Sequence, residues 1–375
     1  MAAAAYTPGL KIVGKTLVEK DRRLPMIGEV HVKMGQRVTA ETVVASTDLP
    51  GNVFPVNLAN MLGCEPKEIK LFLKKAEGDK VEREEIIAET PGLFGFFKTQ
   101  VKSPILGTIE SLSDVTGQAI LREPPIPVEV NAYVDGIVDE IYEGEGVKVN
   151  TVATFIQGIF GIGPEVIGEL VMIAKQPSDV LNKDDIKIEH KHKIIVGGSL
   201  VTADALKRAV EVGVKGVVVG GYDAHDLKEF LGYDLGVAIT GTEDKGITLV
   251  VTEGFGQISM AQKTFDLLKN CIGRKASING ATQIRAGVIR PEVVIPIEGA
   301  ELSDSEKSAG GGMTVGSLVR IIRQPNFGEV AKVVNLPEQP TRIPTEARVR
   351  VVEIETLNKN ERMILPRANV EIIEE

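Results

Sequence analysis

Tryptophan is absent from this chain, aromatic residues amount to 4 %, and there are only two cysteines and four histidines. Without large rings the cores must be filled by Val, Ile, Leu and Ala, and branched side chains of that kind fit the pleated surface of strands. Cys64 and Cys271 stand far apart and match no metal-ligand spacing. That leaves two reduced, buried thiols and no ligand cluster for an iron–sulfur centre. His190 and His192 fall in a charged linker, His31 in a strand and His225 at a helix start, so no histidine pair has zinc-site spacing. Excess positive charge is lacking too. A net charge of −9 works against broad binding to nucleic acid or anionic lipid, because both require a positive field. The N-terminus has neither the basic nor the long apolar region of a secretory signal, which points to a cytoplasmic protein. The most lipophilic stretch, residues 152–173, is interrupted by Gly158, Gly161, Gly163, Pro164, Glu165, Gly168 and Glu169. It is no membrane span; it reads as a glycine-rich buried turn leading into a short helix.

What the chain does have is length and repetition. Its 375 residues, with 43 % apolar and 25 % charged side chains, suit a globular protein of two or three folded units. Three windows share a register. Gly35 is followed by Val38, Val43, Val44 and Ala45; Gly78 by Val81, Ile86, Ile87 and Ala88; Gly144, more loosely, by Val147, Val152 and Ala153. Each reads as strand, turn and strand, with the glycine supplying a positive φ. A second element recurs in Pro25-Met26-Ile27-Gly28-Glu29-Val30, Pro104-Ile105-Leu106-Gly107-Thr108-Ile109 and Tyr133-Val134-Asp135-Gly136-Ile137-Val138, where glycine precedes a β-branched strand. Together they suggest one hairpin type used several times. Between the first two windows, Leu58, Met61, Leu62, Ile69, Phe72 and Leu73 have helical spacing on either side of residues 63–66. They read as an inserted helical pair near residues 57–75 that offers one face to a partner.

Over about residues 10–155 this pattern resembles the barrel-sandwich hybrid, or hammerhead, module of lipoyl and biotinyl carrier domains. The likeness is carried by Lys80-Val81-Glu82-Arg83-Glu84-Glu85-Ile86-Ile87-Ala88 and by Val101-Lys102-Ser103-Pro104-Ile105-Leu106-Gly107-Thr108-Ile109. In carriers of that family a lysine at a hairpin tip takes the prosthetic group. Here Lys98 stands closer to Ser103-Pro104 than the family's acceptor does, and Lys33-Met34 precedes the Gly35 turn, so no cofactor is expected. The better match is to non-acceptor versions of the module, as in the C subunit of Rnf-type electron-transport complexes and the A subunit of sodium-pumping quinone reductases. There the resemblance implies a docking element.

From about residue 193 strands and helices alternate, which indicates a mostly parallel sheet covered by helices. Strands are expected at 193–196, 216–219, 236–240 and 248–252, and helices at 202–212 (with Thr202 as cap), 225–231 and 260–271. Ligands of such sheets gather where strands end in loops. Gly197-Gly198-Ser199, Gly220-Gly221-Tyr222-Asp223, the Thr252–Gly256 loop and the polar Ser277–Arg285 segment are therefore the places to look. Thr252, Glu253, Gly254, Gly256, Asn279, Gln283 and Arg285 are the candidate ligand-binding residues. None of these loops has the glycine spacing of a dinucleotide or phosphate cradle, and turn geometry or a Glu253–Arg285 ion pair is the structural alternative.

After a polar linker at 301–315, the run Gly316-Ser317-Leu318-Val319-Arg320-Ile321-Ile322-Arg323 through Phe327-Gly328-Glu329-Val330 resembles the KOW motif of SH3-like barrels in NusG-type proteins, with Gly328 at the turn. Further strands are expected at 348–354 and 363–373. The resemblance implies contact with RNA or RNA polymerase, and Arg320 and Arg323 could form a small basic spot. Residues 316–375 nevertheless hold nine Lys/Arg and nine Asp/Glu, so the drive from counterion release is missing and a protein-binding role fits better.

The expected architecture is multi-domain α/β and β. It places sandwich-hybrid repeats at 1–155, a connector at 156–192, an α/β layered module at 193–300 and an SH3-like barrel at 316–375. The leading functional expectation is a non-enzymatic scaffold or assembly protein, homo-oligomeric, with no catalytic or metal site and with proteins rather than nucleic acid or membrane as partners. The alternatives are a docking subunit of a redox or acyl-transfer complex, and an enzyme or small-molecule sensor with its site in the α/β module.

Overall fold

The computed structural model describes residues 10–91, 98–233, 244–282, 289–300, 315–321, 326, 329–337, 341–342, 348–357 and 361–372. It is mostly β, with several sheets. A first β unit opens with β1 (Ile12–Arg23), β2 (Glu29–Val30), β3 (Arg37–Val38) and β4 (Val43–Leu49). An insertion follows, containing β5 (Val53–Asn57), α1 (Leu58–Leu62), α2 (Ile69–Phe72) and β6 (Lys80–Val81). It continues through β7 (Ile86–Glu89), β8 (Gln100–Lys102), β9 (Gly107–Ser113) and β10 (Gln118–Arg122). The first unit then resumes with β11 (Ile126–Asn131), β12 (Gly136–Tyr142) and β13 (Gly146–Gln157).

The two units have the same wiring. The order β1-β13-β12-β3 in one answers β5-β10-β9-β6 in the other, and the β4–β11 pair answers β7–β8. Val30 lies opposite Ala45 as Leu73 lies opposite Ala88. Single hydrogen bonds correspond as well. The N–H of Gly35 donates to the Val138 carbonyl (2.7 Å) and that of Gly78 to Ile109 (2.8 Å). The Lys33 N–H is held by Gln36 Oε1 (2.9 Å) and the Ala76 N–H by Asp79 Oδ2 (2.7 Å), so different side chains close the same turn. Each unit has its own core: Val38, Val44, Val138 and Val149 in the first, Val81, Ile87, Ile109 and Leu121 in the second. The helical segment expected near 57–75 belongs to the second unit, where Leu58, Leu62 and Ile69 are buried.

Both glycine patterns have a physical cause. Gly35, Gly78 and Gly144 all have positive φ (78°, 89° and 70°). Gly28, Gly107 and Gly136 lie against a neighbouring backbone instead: a Cβ there would stand 2.2, 2.1 and 2.4 Å from the carbonyl oxygens of Ser46, Arg122 and Asn150. The strands flanking the repeated turns do not form hairpins, however. β3 pairs with β12 while β4 pairs with β11 and β2, so the turn carries the chain from one sheet to the other. The Gly144 window differs again, because Val147, Val152 and Ala153 all lie on the single strand β13.

Residues 156–192 form no mere connector. They contribute the end of β13, then β14 (Phe160–Ile162), β15 (Val166–Met172) and β16 (Val180–Leu181). Strand, at 166–172, replaces the short helix expected within 152–173 because a short apolar run carries no decisive period, and Gly168 lets the His192 carbonyl approach to 2.9 Å of where its Cβ would be. Next come β17 (Ile194–Val196), β18 (Leu200–Val201), α3 (Ala203–Val212), β19 (Gly216–Tyr222) and α4 (Ala224–Leu231). They are followed by β20 (Thr248–Phe255), α5 (Gln262–Lys269), β21 (Lys275–Asn279) and β22 (Glu292–Pro296). The strand expected at 236–240 lies outside the described residues. β15, β17, β19 and β20 are mutually parallel. Leu206 of α3 and Leu227 of α4 cover one face together with Val217 and Leu249; Phe265 and Leu268 of α5 cover the other with Ile194 and Val250. Thr202 caps α3 as expected, accepting the Ala205 N–H at 3.2 Å.

This α/β region is not separate from the first unit. β22 pairs with the second half of β13, so the boundary expected near residue 155 falls inside one continuous strand. The C-terminal segment holds β23 (Leu318–Ile321), β24 (Val330–Asn335), β25 (Thr341–Arg342) and β26 (Arg348–Val349). It ends with β27 (Val351–Thr356), β28 (Arg362–Pro366) and β29 (Val370–Ile372). The antiparallel order β28-β27-β24-β23-β29 encloses Val319, Val333 and Ile354. Arg323, Gly328 and most of the 301–315 segment lie outside the described residues.

The two glycine classes respond differently to substitution. Gly35→Ala faces open space and meets only the left-handed penalty, about 1–2 kcal/mol, which Gly35→Asn partly recovers. Gly107→Ala drives a methyl into the Arg122 carbonyl and loses on the order of 1–3 kcal/mol or more, and Gly107→Asn is worse still. Urea unfolding of the four variants distinguishes the classes; an asparagine that rescues position 107 as well as position 35 refutes the assignment.

Candidate functional site

The expected site residues do not converge. Val166 pairs with Ile278, while Leu170, Ile194, Gly216 and Thr248 are in register across the parallel strands. Asn279 therefore lies beyond the amino ends of these strands, and Glu253 lies near their carboxyl ends. Thr252 is fully buried, with its hydroxyl within hydrogen-bond reach of the Val219 carbonyl (3.3 Å) and Glu253 Oε1 (3.1 Å). The same Glu253 oxygen accepts the Ala261 N–H (2.9 Å), which ties the loop to the start of α5. Gly254 and Gly256 have positive φ (148° and 95°), and the Gly256 N–H donates to the Tyr222 carbonyl (2.7 Å). A Cβ on Gly220 or Gly221 would sit 2.4 and 2.1 Å from the Ile258 and Gly256 carbonyl oxygens. These glycine loops are packed on one another, and the Gly197 and Gly220 N–H groups donate to the Val218 and Gly198 carbonyls (2.9 and 2.7 Å). Asn279 Oδ1 accepts the Ala281 N–H (2.8 Å) in a local turn. Gln283 and Arg285, and with them the Glu253–Arg285 pair, lie outside the described residues.

An aromatic cluster marks the carboxyl edge. Tyr222 stacks on Phe160 at 4.8 Å and lies 4.9 Å from Phe255, which is 65 % exposed. The buried Tyr222 hydroxyl has no partner among the described residues, and burial pushes its pKa upward.

Charged groups concentrate where the first β unit meets β21, a place that sequence reasoning missed. Lys275 donates to Glu41 Oε2 and Asp135 Oδ1, both at 2.9 Å, and Asp135 Oδ1 also accepts the Ala40 N–H (2.7 Å). Burial alone would lower the Lys275 pKa, but the two carboxylates outweigh it and hold the ammonium above its ordinary value. Ser277 donates from its hydroxyl to the Tyr133 carbonyl. Tyr133 is a buried aromatic residue with φ 70°, a strained conformation for a bulky side chain. Its hydroxyl has no partner among the described residues. Burial first, then the Glu292 and Glu165 carboxylates, raise its pKa strongly. Lys20 and Arg22 stand over its ring at 5.7 and 5.3 Å while pairing with Glu292 and Glu165. The motif containing Tyr133 was visible in the sequence; its strain and its partners on β21 were not.

Lys275 separates two hollows. The smaller, ≈ 370 Å³, is lined by Glu41, Glu169 and Lys215 among others. The larger, ≈ 980 Å³, lies over the outer face of β3, β12 and β13 and is walled by residues 273–275 and 296–300. Lys98, the lysine nearest the expected hairpin tip, is bound to Glu89 at 2.9 Å. His190, expected in a charged linker, is buried and accepts the Lys187 N–H at Nδ1 (3.1 Å). Among the described residues no group of His, Cys, Asp and Glu is placed to hold a metal ion, and no helix is long and apolar enough to cross a membrane. The chain matches no protein-family model and no curated protein.

Two measurements test this reading. Lys275→Met leaves Asp135 and Glu41 without their cation, and native-state hydrogen exchange at the Ala40 amide is expected to speed up more than at the Gly78 amide, in the distant second unit. Equal acceleration at both amides means that the bridge does not hold the junction. Burial, reinforced by Lys187 and Lys193 and opposed by Glu189, holds the His190 pKa below its ordinary 6.5. The unfolded chain then binds the proton more readily, so this contribution is present above pH 6.5 and is lost as pH falls below it. Thermal unfolding between about pH 5 and 8 should show this slope in the parent protein and a flatter one in His190→Gln.

Proposed function

We propose that the chain is a non-enzymatic assembly protein, self-associating, whose first half consists of two barrel-sandwich hybrid modules, one nested in the other, acting as docking elements. The observation that carries this reading is the place of the nesting. Carrier modules of this kind load their prosthetic group at the tip of one hairpin. In the first unit the equivalent strands, β4 and β11, are paired, and the entire second unit is inserted between them. It is joined by two short chains that touch where a Cβ on Gly51 would lie 2.1 Å from the Glu123 carbonyl oxygen, and the Glu123 N–H donates to Asn52 (3.0 Å). The tip that would carry a cofactor instead carries a folded arm.

The exposed apolar side chains support a contact role. In the second unit Leu71 (78 % exposed) and Val115 (82 %) flank the Lys70–Asp114 ion pair. In the first, Ile27 (81 %) rests against the Gly144 turn. The equal numbers of basic and acidic residues over 316–375, and a strand order that suits an SH3-like barrel, fit a protein-binding or capping role better than an RNA-binding one.

Light scattering on the intact protein tests the proposal. A mass at least twice the 40.3 kDa of the chain is expected, falling toward 40.3 kDa in a Leu71→Asp/Val115→Asp double variant whose unfolding midpoint is unchanged. A strict monomer at every concentration tested refutes self-association.

A further inference from the structure

We propose that the ≈ 980 Å³ groove over the first β unit is a binding site for a small zwitterion of the amino-acid or short-peptide class. Its floor is a cross-strand row. Ile137 lies directly opposite Arg37 on one side and Asn150 on the other, and residues so paired share a face of the sheet. That face is the outer one, since Val38, Val138 and Val149 turn into the core. An outer face normally meets water, yet here Asn150 Oδ1 is buried with no hydrogen-bond partner among the described residues. Residues 273–275 and 296–300 wall the same groove. A buried amide oxygen left unbonded is costly. A ligand N–H at that position would remove the cost.

The charges lining the groove select the ligand class. Arg37 has no acidic partner among the described residues. The Arg274 guanidinium, at the other wall, bonds the Pro296 carbonyl and the Cys271 sulfur and has no acidic partner among the described residues. Asp139 and Glu298 likewise face the groove without a cation partner among the described residues. Two unmatched cations and two unmatched carboxylates suit a molecule that carries both signs. A polyanion such as a nucleotide would be repelled by the carboxylates, and a simple polyamine by the arginines. The volume lies within the range of ordinary small-molecule pockets and leaves room for a side chain or a second residue.

The test is calorimetric titration of the full-length protein with each proteinogenic L-amino acid and with triglycine, alongside succinate and putrescine as carboxylate-only and amine-only probes. Saturable binding of at least one amino acid or of triglycine is expected, without comparable binding of succinate or putrescine. Arg37→Ser and Asn150→Leu should each weaken it about tenfold or more, roughly 1.4 kcal/mol. If Asn150→Leu does not fold, Asp139→Asn, at an exposed position, takes its place with the same expected loss. The proposal is overturned if no amino acid or triglycine binds, if the variants bind as the parent does, or if succinate or putrescine alone binds as tightly. None of these outcomes depends on whether the chain self-associates.

Discussion

β13 belongs to two cores at once. Its first half places Val147 and Val149 in the core of the first β unit, and its last residues place Ile156 among the side chains that cover the α/β sheet. One edge is occupied along nearly its full length by β1, and the other is shared between β12 and β22. A fully buried Val or Ile side chain contributes roughly 1.5–3 kcal/mol, so the same hydrogen-bonded backbone links two hydrophobic interiors of considerable worth. The two regions must therefore fold in register with each other. Ser277 on Tyr133 and Lys275 on Asp135 add a fastening by side chains to the one made by the ladder.

Tyr133 shows what this fastening demands. A bulky residue at φ 70° costs on the order of 1–3 kcal/mol and persists only where its surroundings over-determine it. Here the carbonyl is held by Ser277, the ring lies under Lys20 and Arg22, and those two cations are held by Glu292 and Glu165. The equivalent turn of the inserted unit has Pro104 at that position, whose ring excludes a positive φ. The two units share a ladder, but at this position only the one that docks on β21 has a positive φ; the inserted unit has its own at Glu84 (67°) instead.

How much of this was legible depended on how local the cause was. The φ-positive glycines and those pressed against a neighbouring carbonyl were visible as two recurring motifs, because each constraint acts within a few residues. Thr202 as a helix cap was visible for the same reason. The partners of the repeated strands were not. The Gly35 and Gly78 turns read as hairpins, since nothing within the window reveals that β3 and β4 belong to different sheets. A short helix was expected within 152–173 where β15 lies, because a short run of Val, Ile, Leu and Met has no decisive period. The glycine-rich loops suggested a ligand site, but their glycines serve backbone approaches, as at Gly220 and Gly221. The charged junction depends on Glu41, Asp135 and Lys275, which are far apart along the chain and carry no motif.

The groove follows from the same architecture. In a free-standing β unit the outer face of β3, β12 and β13 would be wet, and a row such as Arg37, Ile137 and Asn150 would need no partner. Once β22 joins β13, the chain leaving that strand at residues 296–300 must pass over this outer face, and the turn before β21 closes on it from the side. A surface made for water is thereby partly enclosed while Arg37, Asp139 and Glu298 have no ion-pair partner among the described residues. Covalent continuity brings the two walls together, and Lys275, bonded to carboxylates of the first unit, sets how far they can separate. A ligand in the groove would touch both sides of this junction, so its binding and the rigidity of the junction are physically coupled.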